Sequence, residues 1–343
     1  MPRRGRWLAN VALTVLAPAL AVLGIRGINA CRYPEPLIEM VDLDAVAGVT
    51  DTPTGVRVER IASGRLDGFH LRPAGSVLAG LVVTWGGSDG GGNDALALGL
   101  ANSGHEVLAL HYFGRPNQPA ILSAVPLEFF GEALDYAAAH AASTHPLTVI
   151  GSSKGAELAL LLPSYYAEID NVVAFTPSEF VYQGLDYSSP HSSWTWQGRE
   201  LPYVGFQHAA PEATLGMLAA KALNLPVRLR DTYATAADRD PHAHLARIDV
   251  TRIRGHLLAF AGDDDRMWQG EIAAGNLAAA RPELTEVRIY PGAGHAFWVP
   301  GWYAAGYELG GSAEANAAAL AGSTALLHRR MAQWHREPGG RAR

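Results

Sequence analysis

Short apolar runs alternate with longer segments along most of the chain, and the two patterns have different periods. Runs rich in β-branched residues are typical of buried strands, whereas the longer segments repeat at helical spacing. Strand-like runs lie at 81–85, 106–110, 147–150, 171–175, 256–261 and 286–290. Helix-like segments lie at 94–102, 127–140, 156–161, 270–281 and about 314–335. This alternation predicts an α/β protein with a doubly wound, mostly parallel sheet and helices on both faces.

Two stretches interrupt the alternation. Residues 33–80 are predicted to form a linker and then a β-hairpin, with its turn near Asp67-Gly68. Residues 177–254 carry prolines and aromatic residues without alternation, so we expect an inserted segment of loops and short helices over one end of the sheet. The predicted main domain therefore spans 81–338 with this insertion inside it, and residues 339–343 form a frayed tail.

The first 32 residues are predicted to lie outside the fold. Arginines within residues 3–6 precede an apolar run at 7–25, and Arg26 follows that run. Such a segment is typical of a signal peptide or an N-terminal membrane anchor. An uncleaved anchor is the preferred interpretation, with lipoprotein processing at 28–31 or a cleaved signal as alternatives. We therefore expect membrane contact through this segment and a membrane-anchored or exported protein.

Composition narrows the class of protein further. The chain has 343 residues, 48% of them apolar, which is ample for one large α/β domain. A net charge of −6 leaves no basic face, so nucleic acid is not a predicted partner. Cys31 is the only cysteine and cannot form an internal disulfide. We find no zinc-type cluster and no cofactor motif, and we predict neither a metal nor a cofactor.

Residues 147–161 predict where the chemistry lies. A β-branched strand runs into Gly151-x-Ser153-x-Gly155 and helix-forming residues follow, which is the strand, sharp turn and helix of a nucleophile elbow. The two glycines have a steric reason, because the turn strains the serine backbone and leaves no room for Cβ atoms between strand and helix. Ser153 is therefore the candidate nucleophile. The alternative is an ordinary βα turn, and residues farther along the chain bear on that choice.

A nucleophilic serine needs a base, and the base needs a carboxylate that fixes its tautomer. In chains with this elbow the acid and then the histidine follow the serine. Asp265 follows the strand at 256–261 and is the preferred acid, with the adjacent Asp264 as second choice. His295 follows the strand at 286–290 on a glycine-containing loop and is the candidate base. The other 12 of the 13 histidines are interpreted as surface or core residues.

The negative charge that develops in acyl transfer needs two donors placed in advance. One candidate is the backbone N–H of Lys154, the residue after the nucleophile. The other lies in the glycine-rich loop 86–92, where Gly87 or Ser88 is the preferred donor. This loop lacks dinucleotide spacing and a P-loop lysine, which disfavours a phosphate cradle. For the Lys154 side chain we expect either an exposed ammonium or one that steers an anionic substrate.

Seven phrases of the sequence, at 87–91, 107–114, 125–130, 151–158, 192–203, 262–268 and 290–295, carry a resemblance to a known family. Together they resemble the C-terminal catalytic domain shared by acyl-CoA thioesterases and bile acid-CoA:amino acid N-acyltransferases, in the α/β-hydrolase superfamily. The resemblance spans about residues 81–299. It implies an α/β-hydrolase fold and cleavage of an acyl ester or thioester through an acyl-Ser153 intermediate, with His295 as base and Asp265 as the acid that orients it.

Family members that transfer the acyl group to an amino acid carry cysteine at the nucleophile position, so the serine in this chain implies hydrolysis. The leading hypothesis is a serine hydrolase of acyl thioesters. One alternative is an exported or membrane-anchored carboxylesterase or lipase-like enzyme, which the N-terminal segment favours. The other is a non-catalytic pseudoenzyme that only binds lipid.

Overall fold

The computed structural model describes residues 2–38, 41–48, 55–75, 77–299 and 301–336, with side chains from residue 17 onward. The predicted tail at 339–343 lies outside these residues. The strands are β1 (Val56–Ser63), β2 (Leu66–Pro73), β3 (Leu81–Trp85), β4 (Val107–His111), β5 (Val125–Pro126), β6 (Leu147–Ser152), β7 (Asn171–Phe175), β8 (Trp194–Trp196), β9 (Arg199–Glu200), β10 (Leu257–Gly262), β11 (Thr285–Tyr290), β12 (Tyr303–Ala304) and β13 (Tyr307–Glu308).

Eight of these strands form one sheet in the order β1-β2-β4-β3-β6-β7-β10-β11. The six strands from β4 to β11 are parallel, whereas β1 and β2 are antiparallel to their neighbours. Every residue is buried in the five parallel strands β3, β4, β6, β7 and β10. This is expected of apolar strands that are covered on both faces.

Among the described residues the helices are α1 (Pro2–Arg32), α2 (Asp94–Asn102), α3 (Phe129–His140), α4 (Lys154–Leu161), α5 (Pro211–Leu223), α6 (Arg230–Arg239), α7 (Gly270–Ala280) and α8 (Ala313–Trp334). Several of them cover the two faces of the sheet. Leu100 of α2 and Leu327 of α8 belong to the core on one face. Phe130 of α3 and Leu158 of α4 belong to the core on the other. The predicted doubly wound α/β-hydrolase fold is confirmed.

The predicted hairpin is present, but its turn lies elsewhere. Residues 64–65 form the turn, and Asp67 and Gly68 lie inside β2. Asp67 is buried and accepts two hydrogen bonds from the Arg60 guanidinium on β1, both at 2.8 Å. This tertiary pairing outweighs the local turn preference of Asp-Gly. Because β2 also pairs with β4, the hairpin is part of the central sheet.

The region predicted as an insertion, 177–254, contains β8, β9, α5 and α6. Strand β8 pairs in parallel with the short β5, which ties this region to the loop before α3. Its apolar core includes Tyr182 and Tyr233, packed with aliphatic residues and with Trp268 from outside the region. Trp268 in turn contacts the ring of His295, with centroids 5.4 Å apart. The segment therefore packs beside the loops that follow the sheet strands.

The prediction of a membrane-anchored or exported protein is contradicted. In the part of the chain that the structure describes, no helix combines the length and the apolar character needed to cross the membrane. The described end of α1 contacts α5 through polar groups instead. Arg26 donates to the carbonyl oxygens of Lys221 and Ala222 at 3.0 and 2.8 Å, and the Asn29 amide donates to that of Leu223 at 2.7 Å. These groups donate to carbonyls of the last turn of α5, which lack partners farther along the helix.

Candidate active site

Ser153 stands at the sharp turn between β6 and α4. Its backbone has φ 55° and ψ −118°, a conformation that a residue with a side chain adopts only under strain. The Ser153 N–H donates to the Phe175 carbonyl at 2.9 Å, which fixes the turn against the neighbouring strand. In this conformation the hydroxyl lies outside the turn, beyond the carboxyl ends of the parallel strands, where it contacts His295.

The glycines on either side of Ser153 are required sterically, as the sequence predicted. A Cβ atom on Gly151 would overlap the carbonyl of Gly155. A Cβ atom on Gly155 would overlap the carbonyl of Gly86, at the start of the glycine-rich loop. The helix can therefore pass this close to β6 and β3 only because both residues lack side chains.

The structure brings Ser153, His295 and Asp265 together. His295 Nε2 lies 2.9 Å from Ser153 Oγ, and His295 Nδ1 lies 2.8 Å from Asp265 Oδ2. His295 and Asp265 are 4% and 1% exposed. Because a carboxylate only accepts hydrogen bonds, Nδ1 carries the proton and Nε2 is free to accept from the serine hydroxyl. This arrangement can transfer the serine proton to the imidazole.

The three neighbouring aspartates make different contacts. Asp265 Oδ1 accepts the backbone N–H groups of Met267 and Trp268 at 2.8 and 3.1 Å, which leaves Oδ2 for His295. Asp264, the second-choice acid, accepts the N–H of Gly311 at 2.9 Å. Asp263 accepts the N–H of Gly292 at 2.6 Å. Asp264 and Asp263 therefore hold the loops around the site, and only Asp265 of the three contacts the imidazole.

Trp268 is a site residue to which the sequence reasoning assigned no role. Its indole N–H donates to the Thr176 carbonyl at 3.2 Å, and its ring meets that of His295 at an interplanar angle of 79°. Trp268 is 4% exposed. It therefore supports one side of the imidazole. The only signal in the sequence was its place three residues after Asp265 in a family phrase.

The three candidate oxyanion donors lie at the start of α4 and on the glycine-rich loop, beside Ser153. The Lys154 N–H begins α4 and has no carbonyl partner within the helix. Gly87 adjoins the nucleophile, since a Cβ atom built on it would lie 3.1 Å from Ser153 Cβ. Its N–H, however, donates to Asp89 Oδ1 at 2.7 Å. The Ser88 N–H has no acceptor among the described residues, so of the two loop candidates Ser88 is the one left free.

The Lys154 side chain is neither exposed nor placed to steer a substrate, so both expectations for it are wrong. It is 1% exposed, and its ammonium lies 2.9 Å from Glu157 Oε2. Burial lowers the pKa of Lys154 and raises that of Glu157, while the attraction between the two opposes both shifts. The spacing of three residues along a helix is the sequence signal for this ion pair. Its burial depends on contacts with the segment 177–254, which that spacing does not indicate.

Within the described residues, no group of three or more histidine, cysteine, aspartate or glutamate side chains is arranged to hold a metal ion. The contacts among Ser153, His295 and Asp265 can support nucleophilic and acid–base chemistry by side chains.

Comparison with known proteins places the chain in a family. The model of the family described as BAAT / acyl-CoA thioester hydrolase C terminal matches residues 125–306. Human acyl-coenzyme A thioesterase 1 is 28% identical over 251 residues, covering 71% of this chain and 55% of the relative. Mouse acyl-coenzyme A amino acid N-acyltransferase 1 is 35% identical over 246 residues, covering 70% and 54%.

The chain thus spans about half the length of the curated relatives it matches. Among solved structures, an esterase from Pyrococcus furiosus is similar in fold at 12% identity, with a TM-score of 0.51 and coverage of 88% of this chain and 99% of that one. The family predicted from the sequence phrases is confirmed: the chain belongs to the BAAT / acyl-CoA thioester hydrolase C-terminal family.

Proposed function

We propose that the protein is a serine hydrolase that cleaves acyl thioesters through an acyl-Ser153 intermediate. The observation that carries this proposal is the chain of contacts from Asp265 through His295 to Ser153, with spacings of 2.8 and 2.9 Å. The names of its relatives, which include acyl-coenzyme A thioesterases, support the thioester as substrate.

Acylation begins as Ser153 Oγ attacks the thioester carbonyl and its proton moves to His295 Nε2. The carbonyl oxygen becomes an oxyanion, which accepts hydrogen bonds from the N–H groups of Lys154 and Ser88. When the intermediate collapses, the carbon–sulfur bond breaks and the thiol leaves with the proton held by His295. Asp265 accepts from Nδ1 throughout, which fixes the tautomer and stabilises the imidazolium.

Deacylation repeats these steps with water as the nucleophile. His295 takes a proton from the water as its oxygen attacks the acyl-serine carbonyl, and it returns the proton to Ser153 Oγ when the carboxylic acid leaves. The same oxyanion donors serve both halves of the reaction. An amine in place of water would give an amide, which is the transfer named for the N-acyltransferase relatives.

Two other functions compete with this proposal. The exported or membrane-anchored esterase loses the support it drew from the N-terminal segment, because no described helix could span a membrane. A non-catalytic lipid-binding protein would have no need of a strained serine within hydrogen-bonding distance of a buried imidazole.

The test compares Ser153→Ala with Ser152→Ala. Ser152 is the neighbouring serine, 3% exposed, and its hydroxyl accepts from the Asn93 amide at 3.3 Å. We expect Ser153→Ala to lower kcat for acyl-CoA hydrolysis by on the order of 10⁴-fold or more, with Ser152→Ala near the wild-type rate. Hydrolysis that persists in folded Ser153→Ala would overturn the proposal.

The substrate class is tested on the wild-type protein with acyl-CoA thioesters and oxygen esters of matched chain length. Faster hydrolysis of the thioesters supports the proposal, and a clear preference for the oxygen esters would favour a carboxylesterase. Adding glycine to the acyl-CoA assay measures transfer to an amine. Amide as the main product would replace hydrolysis with acyl transfer as the function.

A further inference from the structure

The ammonium of Lys154 is buried beside the first turn of α4 and has four acceptors. Glu157 Oε2 and Ser193 Oγ each lie 2.9 Å from Nζ, and the carbonyl oxygens of Tyr182 and Gln183 lie at 3.4 and 3.3 Å. Three of these acceptors belong to the segment 177–254. The residue that supplies one oxyanion donor through its backbone is thus fixed by that segment through its side chain.

The carboxylate of Glu157 extends the same contact. It is 0% exposed, and its Oε1 accepts the indole N–H of Trp194 at 2.8 Å. The N–H of Tyr182 also points to Oε1, at 3.4 Å. Trp194 is fully buried, and its position is therefore set jointly by β8 and by the carboxylate on α4.

From Trp194 the contacts continue to the glycine-rich loop. The Trp194 ring packs against that of Tyr112, with centroids 5.7 Å apart. The Gly87 carbonyl accepts from the Tyr112 hydroxyl and from the Gly90 N–H, the latter at 3.0 Å. Burial raises the pKa of the Tyr112 hydroxyl well above its usual value, so it remains a donor. Because a peptide bond is planar and trans, fixing the Gly87 carbonyl also fixes the direction of the Ser88 N–H.

We propose that the buried Lys154–Glu157 pair positions both halves of the oxyanion hole, Lys154 directly and Ser88 through Trp194 and Tyr112. This inference rests on the proposed function. None of these side chains need touch the substrate, so Glu157, Trp194 and Tyr112 are positioning residues. The pair also joins the segment 177–254 to the nucleophile helix, so the position of that segment and the geometry of the hole depend on each other.

A role in positioning explains why a buried ion pair occupies this place, which stability alone explains poorly. Removing two charges from water is costly, and apolar residues of similar volume often stabilise a fold as well as a buried ion pair does. The directions of the hydrogen bonds are what apolar residues would not supply. Donors aimed at a developing charge contribute through their orientation, and a small misalignment of such donors lowers the rate.

The main test variants are Tyr112→Phe and Glu157→Gln. The first removes one of the two donors to the Gly87 carbonyl and keeps the ring against Trp194. The second keeps the shape of the side chain and removes its charge. The matched control is Glu106→Gln, in a second buried pair in which Glu106 lies 2.7 Å from His70. Glu106 precedes β4 and thus lies at the opposite edge of the parallel strands from Ser153.

The first readout is the rate at which a fluorophosphonate labels the serine, because the phosphonyl oxygen occupies the oxyanion hole and no acyl substrate is needed. The second is the division between kcat and KM with an acyl-CoA. We expect Tyr112→Phe and Glu157→Gln to lower the labelling rate and kcat about tenfold or more with KM little changed. Glu106→Gln should lower the unfolding temperature and leave the labelling rate of the folded protein unchanged.

The outcomes separate the two proposals. A wild-type protein that is folded and is not labelled would overturn the proposed function. A labelled wild type with Tyr112→Phe and Glu157→Gln labelled at the same rate would overturn only the positioning role. If Glu157→Gln does not fold, Tyr112→Phe, which removes a single oxygen atom, still tests the branch to Ser88. An unchanged labelling rate in that variant would overturn the positioning of Ser88 through Trp194 and Tyr112.

Discussion

His295 and Ser153 are separated by 142 positions in the chain, yet Nε2 of the one lies 2.9 Å from Oγ of the other. The parallel sheet makes this contact, because β6 and β11 both end at the same edge and each is followed by one of the two residues. Between them lies β10, whose following loop supplies Asp265. Three residues that are distant in sequence thus meet on neighbouring loops, as ligand-binding residues of open α/β sheets generally do.

The first prediction distinguishes two adjacent carboxylates. Asp265→Asn should lower kcat on the order of 10⁴-fold, because an amide can hold the imidazole in the wrong tautomer. Asp264→Asn should leave kcat within a few-fold of wild type, because Asp264 contacts the N–H of Gly311 and not His295. Steady-state kinetics on both variants checks this. Equal losses in the two would show that the acid is misassigned.

The parts of the site that the sequence predicted depend on local pattern. The elbow is recognisable because Gly151, Ser153 and Gly155 are adjacent in sequence, and the acid and base because each follows a strand. The sequence pattern prefers Asp265 to Asp264 as the acid, but which of two neighbouring carboxylates faces the imidazole depends on how the loop folds. In the structure Asp265 is the one that contacts His295. Hydrogen bonds from Met267 and Trp268 orient that loop.

The features that the sequence did not predict depend on contacts between distant segments. Lys154 is buried because Tyr182 and Ser193, 28 and 39 positions away, supply acceptors for its ammonium. The hairpin turn lies at 64–65 and not near Asp67, because Asp67 pairs with Arg60 on the neighbouring strand. In each case a contact with a distant residue outweighs the local preference of the side chain. The pattern of neighbouring residues carries no information on such contacts.

The second prediction concerns the support of the imidazole. Trp268→Phe removes the hydrogen bond to the Thr176 carbonyl and places a smaller ring against His295. Because the imidazole is then less firmly oriented, kcat should fall about threefold to tenfold. The control is Trp334→Phe, which changes a tryptophan stacked on a different histidine, His256, with centroids 5.0 Å apart. That variant should keep the wild-type kcat. A similar loss in both would indicate a general effect on packing.

The third prediction tests the close approach of α4 to the glycine-rich loop. Gly155→Ala places a methyl group against the Gly86 carbonyl and 3.2 Å from Trp85 Cβ, so it should lower the free energy of unfolding by about 1–3 kcal/mol. It should also lower kcat, since the displaced backbone carries the proposed oxyanion donors. Urea unfolding and kinetics on the same preparation check both effects.

Gly99 provides the control for that substitution. It lies inside α2, and a Cβ atom there would have nothing within 4 Å. Gly99→Ala should therefore raise the free energy of unfolding by about 0.5–1 kcal/mol, because alanine favours the helix. If Gly155→Ala were as well tolerated as Gly99→Ala, the steric account of the elbow would be wrong.

The last prediction follows from a buried histidine at the opposite edge of the sheet. His105 is 2% exposed, and its Nδ1 has no hydrogen-bond partner among the described residues. Its ring lies 5.1 Å from that of His335, which Thr148 and the Ala79 carbonyl hold at 2.7 and 2.8 Å. Burial, aided by repulsion from His335 and His328, lowers the pKa of His105 from 6.5 to about 3.

The unfolded chain therefore binds a proton at His105 at a pH where the folded protein does not. The stability that depends on neutral His105 is complete above pH 6.5 and is lost as the pH falls from 6.5 towards 3, by about 1.4 kcal/mol per unit. Between pH 7 and pH 5 the wild type should lose roughly 2 kcal/mol more free energy of unfolding than His105→Leu. Urea unfolding at both pH values measures this difference. The variant removes the titrating group, so any effect on absolute stability cancels within each protein, and equal losses in the two proteins would mean that His105 is protonated in the folded state as readily as in the unfolded chain.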